Sequence, residues 1–269
     1  EKFKSETDKS EFKNDMEDFQ NRARARNLPQ QEIDKTYGQV NRLLQEGSAA
    51  VPEEHRQLAA KTLMHQLAVP NITDQGYHNT CNVTTLAERT LTRQPAMAAE
   101  IVATSAIKGS WTARDGKEIK FKAQDLVPGS EEKFQHRISD GSRTYATQLL
   151  NLAMVNDSLQ RKMPPQYYGY GSPSATNKTG ETVTYADGSP VGDGGYHGMS
   201  LSEISAIGKR LTGETDYIIE SNEFAPRLNL GNNDGLIPVA TKEELGETLK
   251  RMKAENRLPA IVMVDSNDK

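Results

Sequence analysis

Four prolines, Pro29, Pro52, Pro70 and Pro95, cut the first 110 or so residues into segments that fit only a packed set of helices. Proline lacks a backbone N–H and its ring clashes with the preceding turn, so it opens a helix or ends one. Phe12, Met16 and Phe19 recur at i, i+4, i+7, and Ile33, Tyr37, Val40, Leu43 and Leu44 resume a helical period after Pro29 until Gly47 stops it. Pro52, with Glu53 and Glu54 suiting a helix N-terminus, opens a third helix whose Leu58, Leu63, Met64 and Leu67 face inward until Pro70. A further helical stretch runs from Cys81 to about Ile107, and Pro95 divides it in two. The first two helices carry narrow apolar stripes and must lean on something else to be stable. Residues 1–50 are therefore expected to be a helical appendage, either a plain linker or a pro-segment or docking arm, ahead of one domain over 51–269.

Strand signals begin after residue 110. Trp111–Arg114 and Lys117–Phe121 flank Asp115-Gly116, a pair suited to a type I′ hairpin turn. Helix returns over Thr144–Leu159, with Tyr145, Leu149, Leu152, Met154 and Val155 as its apolar face. Residues 164–198 read as a long loop holding one hairpin, Thr182–Tyr185 turning at Asp187-Gly188. Ser200…Glu203 and Thr241…Glu244 are capping boxes that open two more helices, the first ending at Gly213. Tyr217–Ile219 and Leu258–Val264 read as strands. The fold class is α+β without strand–helix–strand alternation.

Composition removes several functions. The chain has 269 residues and a net charge of −4, and its isoelectric point near 5.8 speaks against a nucleic-acid partner. No stretch approaches the roughly 18–20 apolar residues of a membrane span, so no membrane partner is expected. A single cysteine, Cys81, excludes an intrachain disulfide and a cysteine-based zinc cluster. Asn232, Asp234 and Gly235 echo a calcium loop, but its first and twelfth ligand positions would be Leu230 and Thr241, so a turn is the better reading. No phosphate-binding glycine motif or serine elbow occurs, and no cofactor or metal is expected.

A lone cysteine is usually an inert small apolar residue. Cys81, however, falls where a polar loop becomes a helix, and the unpaired N–H groups of a helix start stabilise a thiolate. Gln75 lies six positions earlier in the same loop. Its side-chain amide and the Cys81 backbone N–H could donate to an oxyanion formed when the thiol attacks a carbonyl. Cys81 and Gln75 are the candidate catalytic residues.

The string Asp74-Gln75-Gly76-Tyr77-His78-Asn79-Thr80-Cys81 resembles the Gln-Gly-x4-Cys signature of papain-like cysteine peptidases, calpains included. It diverges where that family has a small residue or Gly-Asp before the cysteine and Trp after it; here Asn79-Thr80 and Asn82 stand instead. Tyr145–Ala153, Met199–Gly213 and Thr241–Val264 resemble calpain segments, extending the likeness over roughly 55–269. The resemblance implies a papain-like fold, a helical lobe headed by the Cys81 helix plus a β-rich lobe, and a protein or peptide substrate.

A thiol nucleophile needs an imidazole base oriented by Asn or Asp. The five histidines are His55, His65, His78, His136 and His197. His55 and His65 sit on the helix before the loop, His78 inside the Gln–Cys loop, and His136 beside the charged run Glu131–Lys133. His197 lies in Gly194-Gly195-Tyr196-His197-Gly198, ahead of a helix and not on an apolar strand. In the papain-like pattern the histidine follows the strand matched by Ala260–Val264, just before the chain stops at Lys269. With Glu1 in place of a starting methionine, both ends read as cut. The expectation is that a C-terminal remainder supplies His and Asn, with His197 the in-chain candidate. The expected function is a cysteine-dependent hydrolase; a non-catalytic binding module and an acyl-transferase or deamidase using the same thiol stay open.

Overall fold

The computed structural model describes residues 3, 5–129, 143–171, 177–215, 217–221 and 235–263. The fold is mixed α+β, with eight α-helices and three small sheets among the described residues. It divides into two compact units, 1–198 and 199–269. Among the described residues no helix is long and apolar enough to cross a membrane.

The helices of the first unit start and stop where the prolines demand. They are α1 (Glu6–Ala25), α2 (Gln30–Gln45), α3 (Glu53–Ala68), α4 (Cys81–Arg93), α5 (Pro95–Lys108) and α6 (Tyr145–Leu159). The narrow stripes of α1 and α2 find their support inside this unit: α1 packs on α3, and α2 on α5 and α3. Phe19, Ala23, Ile33, Val40 and Leu43 are buried there. Two arginines fasten these helices to backbone carbonyls at or just beyond helix C-termini. Arg22 of α1 donates to Leu67 O at 2.8 Å, Leu91 O at 3.2 Å and Thr92 O at 3.3 Å, serving the last carbonyls of α3 and α4. Burial pushes its guanidinium down to about 10. Arg56 of α3 similarly reaches Leu43 O, Glu46 O and Val51 O at the end of α2. Residues 1–50 thus lie within the first compact unit, and the division of the chain falls after Gly198, not near residue 50.

The expected apolar face of α6 is only part of its burial: every residue of this helix is buried. A helix enclosed on all sides must satisfy its polar side chains internally, and α6 uses them as clamps. Gln148 donates to Val127 O at 2.8 Å and accepts from Gly129 N at 2.8 Å. Asn156 makes a two-way bond to the backbone of Tyr168, accepting at 3.0 Å and donating at 2.9 Å. Gln160 does the same to Lys120 at 3.1 and 2.7 Å. Asn156 and Gln160 thus make to β3 and β2 the paired bonds that a neighbouring strand would have made.

Those clamps hold two antiparallel hairpins. The first pairs β1 (Ser110–Thr112) with β2 (Glu118–Lys120), placing Trp111 opposite Ile119. Its turn differs from the expected type I′. Only Gly116, not Asp115, has a positive φ, and Ala113 bonds both Gly116 N and Lys117 O, making a three-residue loop with a glycine bulge. The second pairs β3 (Gln166–Tyr170) with β4 (Glu181–Tyr185). Strand β3 falls in a segment expected to be loop. The expected turn at Asp187-Gly188 forms, but the chain beyond it returns only through a bridge of Pro190 to Thr184 and irregular bonds.

In the second unit α7 (Leu201–Thr212) opens with the expected capping box of Ser200 and Glu203 and closes at Gly213. Strand β5 (Ile218–Ser221) lies between β6 (Leu236–Val239) and β7 (Ile261–Met263), with both pairings parallel. Helix α8 (Lys242–Ala254) connects β6 to β7, because parallel strands cannot be joined by a tight turn. The expectation of no strand–helix–strand alternation therefore fails here. The sequence missed β6, which follows the glycine at Gly235.

Below β3 the backbone approaches a buried carboxylate. A Cβ on Gly169 would lie 2.5 Å from both Asp125 carboxylate oxygens, and Asp125 accepts from Tyr170 N at 2.9 Å. Substituting Gly169→Ala is expected to destabilise the protein by about 1–3 kcal/mol through overpacking. Gly38→Ala, on α2 with open space at its Cβ, should instead stabilise by about 0.5–1 kcal/mol; urea unfolding of both variants checks the pair. Burial raises the Asp125 carboxyl above its ordinary range, outweighing the Tyr170 N–H and Lys122 that lower it. A raised carboxyl favours the fold at low pH, and that contribution is lost as pH climbs through the raised value. Unfolding measured from about pH 4 upward should show the wild type losing ground to Asp125→Asn, which keeps the bond to Tyr170 without a charge.

Candidate active site around Cys81

The loop between α3 and α4 begins with a 3₁₀ turn, Pro70–Ile72, and is shaped by local bonds. Asp74 accepts from Gly76 N at 2.8 Å, and Gln75 O accepts weakly from His78 N at 3.4 Å. Three further contacts tie the loop to distant elements. Glu181, fully buried at the start of β4, accepts from Asn79 N at 2.8 Å. Asn79 donates its side-chain amide to Tyr196 O at 3.0 Å. Asn151 of α6 donates to Thr80 Oγ1 at 3.1 Å and to Thr84 Oγ1 at 2.9 Å.

Cys81 emerges from this scaffold as the first residue of α4, exposed and reduced. Its Sγ contacts Asn82 Oδ1 at 3.6 Å, and among the described residues no imidazole is hydrogen-bonded to it. The helix start differs from those of the other helices headed by Ser or Thr. Ser5, Thr144, Ser200 and Thr241 each cap a helix by accepting from a first-turn N–H, all from extended backbone. Thr80, at φ −105° and ψ 18°, makes no such bond. Thr80 thus supplies no side-chain cap to the first turn of α4, the turn that begins with Cys81. Gln75 is half-buried, and among the described residues its side-chain amide makes no hydrogen bond. Both predicted site residues therefore stand on one short segment, Gln75 in the loop and Cys81 at the helix start it leads into.

The histidines separate clearly. His78 turns inward. It is buried, with Nδ1 at 3.8 Å from Glu181 and its ring edge-on to Tyr170 at 5.4 Å. His65 pairs with Asp15 of α1 at 2.9 Å, and His55 lies against the Tyr145 ring. His136 lies outside the described residues, as do Asn232 and Asp234 of the rejected calcium loop. His197 is exposed, and its Nε2 meets the Asp193 carboxylate at 2.9 Å. That hydrogen bond holds Asp193 below the ordinary carboxylate range. On either side of His197, Tyr196 O accepts from the Asn79 side-chain amide, and a Cβ built on Gly198 would lie 3.6 Å from Asn79 O. His197 is thus carried by a segment lying against the loop two residues before the thiol.

Beneath the loop lies a polar and aromatic cluster that sequence patterns do not expose. Glu181 also accepts from Tyr168 OH at 2.7 Å, and Tyr168 packs edge-on against Tyr170 and Tyr196. Arg143 lies over the Tyr170 ring at 4.8 Å and donates to its hydroxyl at 3.1 Å. Burial, reinforced by the charge of Glu181, pushes the Tyr168 phenol well up. The Glu181 anchor gave no sequence signal beyond the strand that follows it, since it pairs across 102 positions. Among the described residues no cluster of His, Cys, Asp and Glu could hold a metal ion. Comparison of the chain with protein-family models, with curated proteins and with solved structures finds no match in any of the three.

Tyr168→Phe keeps the ring packing and removes the hydroxyl that donates to the Glu181 carboxylate. It should cost about 1–3 kcal/mol of stability, the usual penalty for a buried acceptor losing its partner, read as a lowered midpoint in thermal or urea unfolding.

Proposed function

We propose that the protein is a cysteine-dependent hydrolase of the papain-like type, with Cys81 as nucleophile and a protein or peptide as substrate. The observation that carries this reading is the exposed Cys81 at a helix start without a side-chain cap, six positions after Gln75 in the loop that leads into it. In the proposed reaction the Cys81 thiolate attacks an amide carbonyl carbon. The carbonyl π electrons move onto oxygen, where Gln75 Nε2 and the Cys81 N–H donate to the oxyanion. Collapse expels the amine, which takes a proton from an imidazolium, and leaves a thioester. Water, deprotonated by the same imidazole, then releases the acid and regenerates the thiol.

His197 is the base in this proposal. Its Nε2 faces Asp193, which leaves Nδ1 as the nitrogen able to exchange a proton with sulfur. The position of Tyr196 and Gly198 against Asn79 favours it over an imidazole from beyond Lys269. Exposure of the ring allows it to swing onto the thiol when substrate binds, as catalytic hydrogen bonds commonly tighten only in the complex. A deamidase or acyl-transferase would use the same groups with a different acceptor. A second reading, a papain-like module that binds without catalysis, is favoured by one observation: Sγ contacts Asn82 and not an imidazole.

Hydrolysis of a quenched fluorescent peptide library tests these readings. Cys81→Ala should abolish turnover, and Gln75→Ala should lower kcat about 10²–10³-fold, the usual effect of losing one oxyanion donor. His197→Ala should lower it about 10²–10⁴-fold, as loss of a general base does. Turnover that survives Cys81→Ala sinks the thiol mechanism. A His197→Ala variant with wild-type kcat moves the base elsewhere, and a wild type inert toward every peptide and protein substrate leaves the binding module.

A further inference from the structure

Strand β5 begins with the apolar pair Ile218 and Ile219 and then places a carboxylate, Glu220, at the centre of the last complete row of the parallel sheet. It stands in register with Pro238 of β6 on one side and Met263 of β7 on the other. Glutamate is a poor strand former and is rarely buried unless a donor or a cation compensates it. Glu220 is 5% exposed. Among the described residues it makes no hydrogen bond and no ion pair, and its Oε1 is enclosed without a partner. The other buried acids are compensated: Glu181 by Asn79 N and Tyr168 OH, Asp125 by Tyr170 N, and Asp157 by Arg161. Burial raises the Glu220 carboxyl above its ordinary range. A valine or isoleucine would continue the apolar run at this position without the desolvation cost. A local rule broken with no structural gain points to a functional requirement, and ligands of parallel sheets bind at the carboxyl ends of the strands.

We propose that the carboxyl end of β5 is a binding site for a monocation on an apolar stem, the guanidinium or ammonium of an arginine- or lysine-like group, with Glu220 as its counter-ion. Three features select this chemistry. A hydroxyl or amide partner would satisfy the hydrogen bonds of a buried carboxylate and leave its charge uncompensated, whereas a cation answers both. A divalent metal asks for several oxygen ligands, and among the described residues no cluster of His, Cys, Asp and Glu could hold one. Side chains in register on neighbouring strands share a face, so Glu220 is flanked by exposed Pro238 and half-buried Met263. Those two offer apolar surface to the methylenes of a stem on either side of the acid. A guanidinium is favoured over an ammonium, because it is more weakly hydrated and its paired N–H groups match the carboxylate. The site lies wholly within the second unit and is independent of the chemistry at Cys81.

The test is calorimetric titration of the full chain, just above neutral pH, with agmatine, with the blocked peptide acetyl-Ala-Arg-Ala-amide and with neutral butylurea. The wild type should bind a cation saturably, and butylurea should bind about tenfold more weakly or not at all, as loss of a buried charge pair requires. Glu220→Gln, which keeps the shape and removes the charge, should weaken agmatine about tenfold or more. Glu247→Gln, on the exposed face of α8, should bind as the wild type does. Glu220→Leu should bind neither cation and melt above the ligand-free wild type, because it removes an uncompensated buried acid; it carries the comparison where the glutamine variant does not fold. Tighter binding of the peptide marks a protein side chain as the source, and tighter binding of agmatine a free amine; both support the site. A wild type that binds neither cation, or that binds butylurea as well as agmatine, overturns the proposal without any variant. Wild-type affinity in Glu220→Gln overturns it equally, and none of these outcomes bears on the thiol mechanism.

Discussion

A helix surrounded by protein on every side cannot leave its amides and hydroxyls to water, and α6 turns that constraint into the organising device of the first unit. Its polar side chains are spaced along and around the helix, so each meets a different neighbour: Gln148 the backbone of Val127 and Gly129, Asn151 the start of α4, Asn156 strand β3 and Gln160 strand β2. Because two of these amides bond a backbone N–H and C=O at once, they fix the height and direction of each hairpin. The apolar side chains of α6 supply burial, but these bonds supply register. Loss of the helix would release both hairpins and the thiol-bearing helix together.

The loop that carries Gln75 and Cys81 is held by the same logic applied to a charge. A fully buried carboxylate is tolerable only when strong donors surround it, and Glu181 receives the Asn79 N–H and the Tyr168 hydroxyl. The cluster of His78, Tyr170 and Arg143 around it excludes water from below. The loop is therefore pinned from beneath, while its upper surface keeps an exposed sulfur and an uncommitted amide. In the proposed mechanism this division of labour gives a rigid floor beneath an accessible thiol.

How much of this was legible in the sequence depended on the range of the interaction responsible. Pro29, Pro52, Pro70 and Pro95 act within a turn of themselves, and the helices they bound formed as read. The Ser200–Glu203 box is equally local and closed as expected. Strand β3 escaped because its alternation is weak and two prolines and a glycine-rich run surround it; only the amide of Asn156 and the partner strand make it a strand. The hairpin at Asp115-Gly116 was placed but mistyped, since register across the strands, not the dipeptide, selected a three-residue loop. At the site, Gln75 and Cys81 were visible because they share one loop. Glu181, Asn151 and Asp193 were not, because each acts through a fold that brings distant positions together or through a loop that reads as solvated.

The sequence by itself determined the helices, their ends, the mixed α+β class and the placing of one thiol at a helix start, all consequences of hydrogen bonds and sterics a few residues long. Only the tertiary structure decided that α6 would be enclosed, that His78 would face inward while His197 lies beside the loop, that the C-terminal strands would run parallel, and that Thr80 would leave its helix uncapped. Those outcomes follow from burial. Once water is removed, each polar group must find a partner across the fold, and which partner it finds is set by packing, not by its neighbours in the chain.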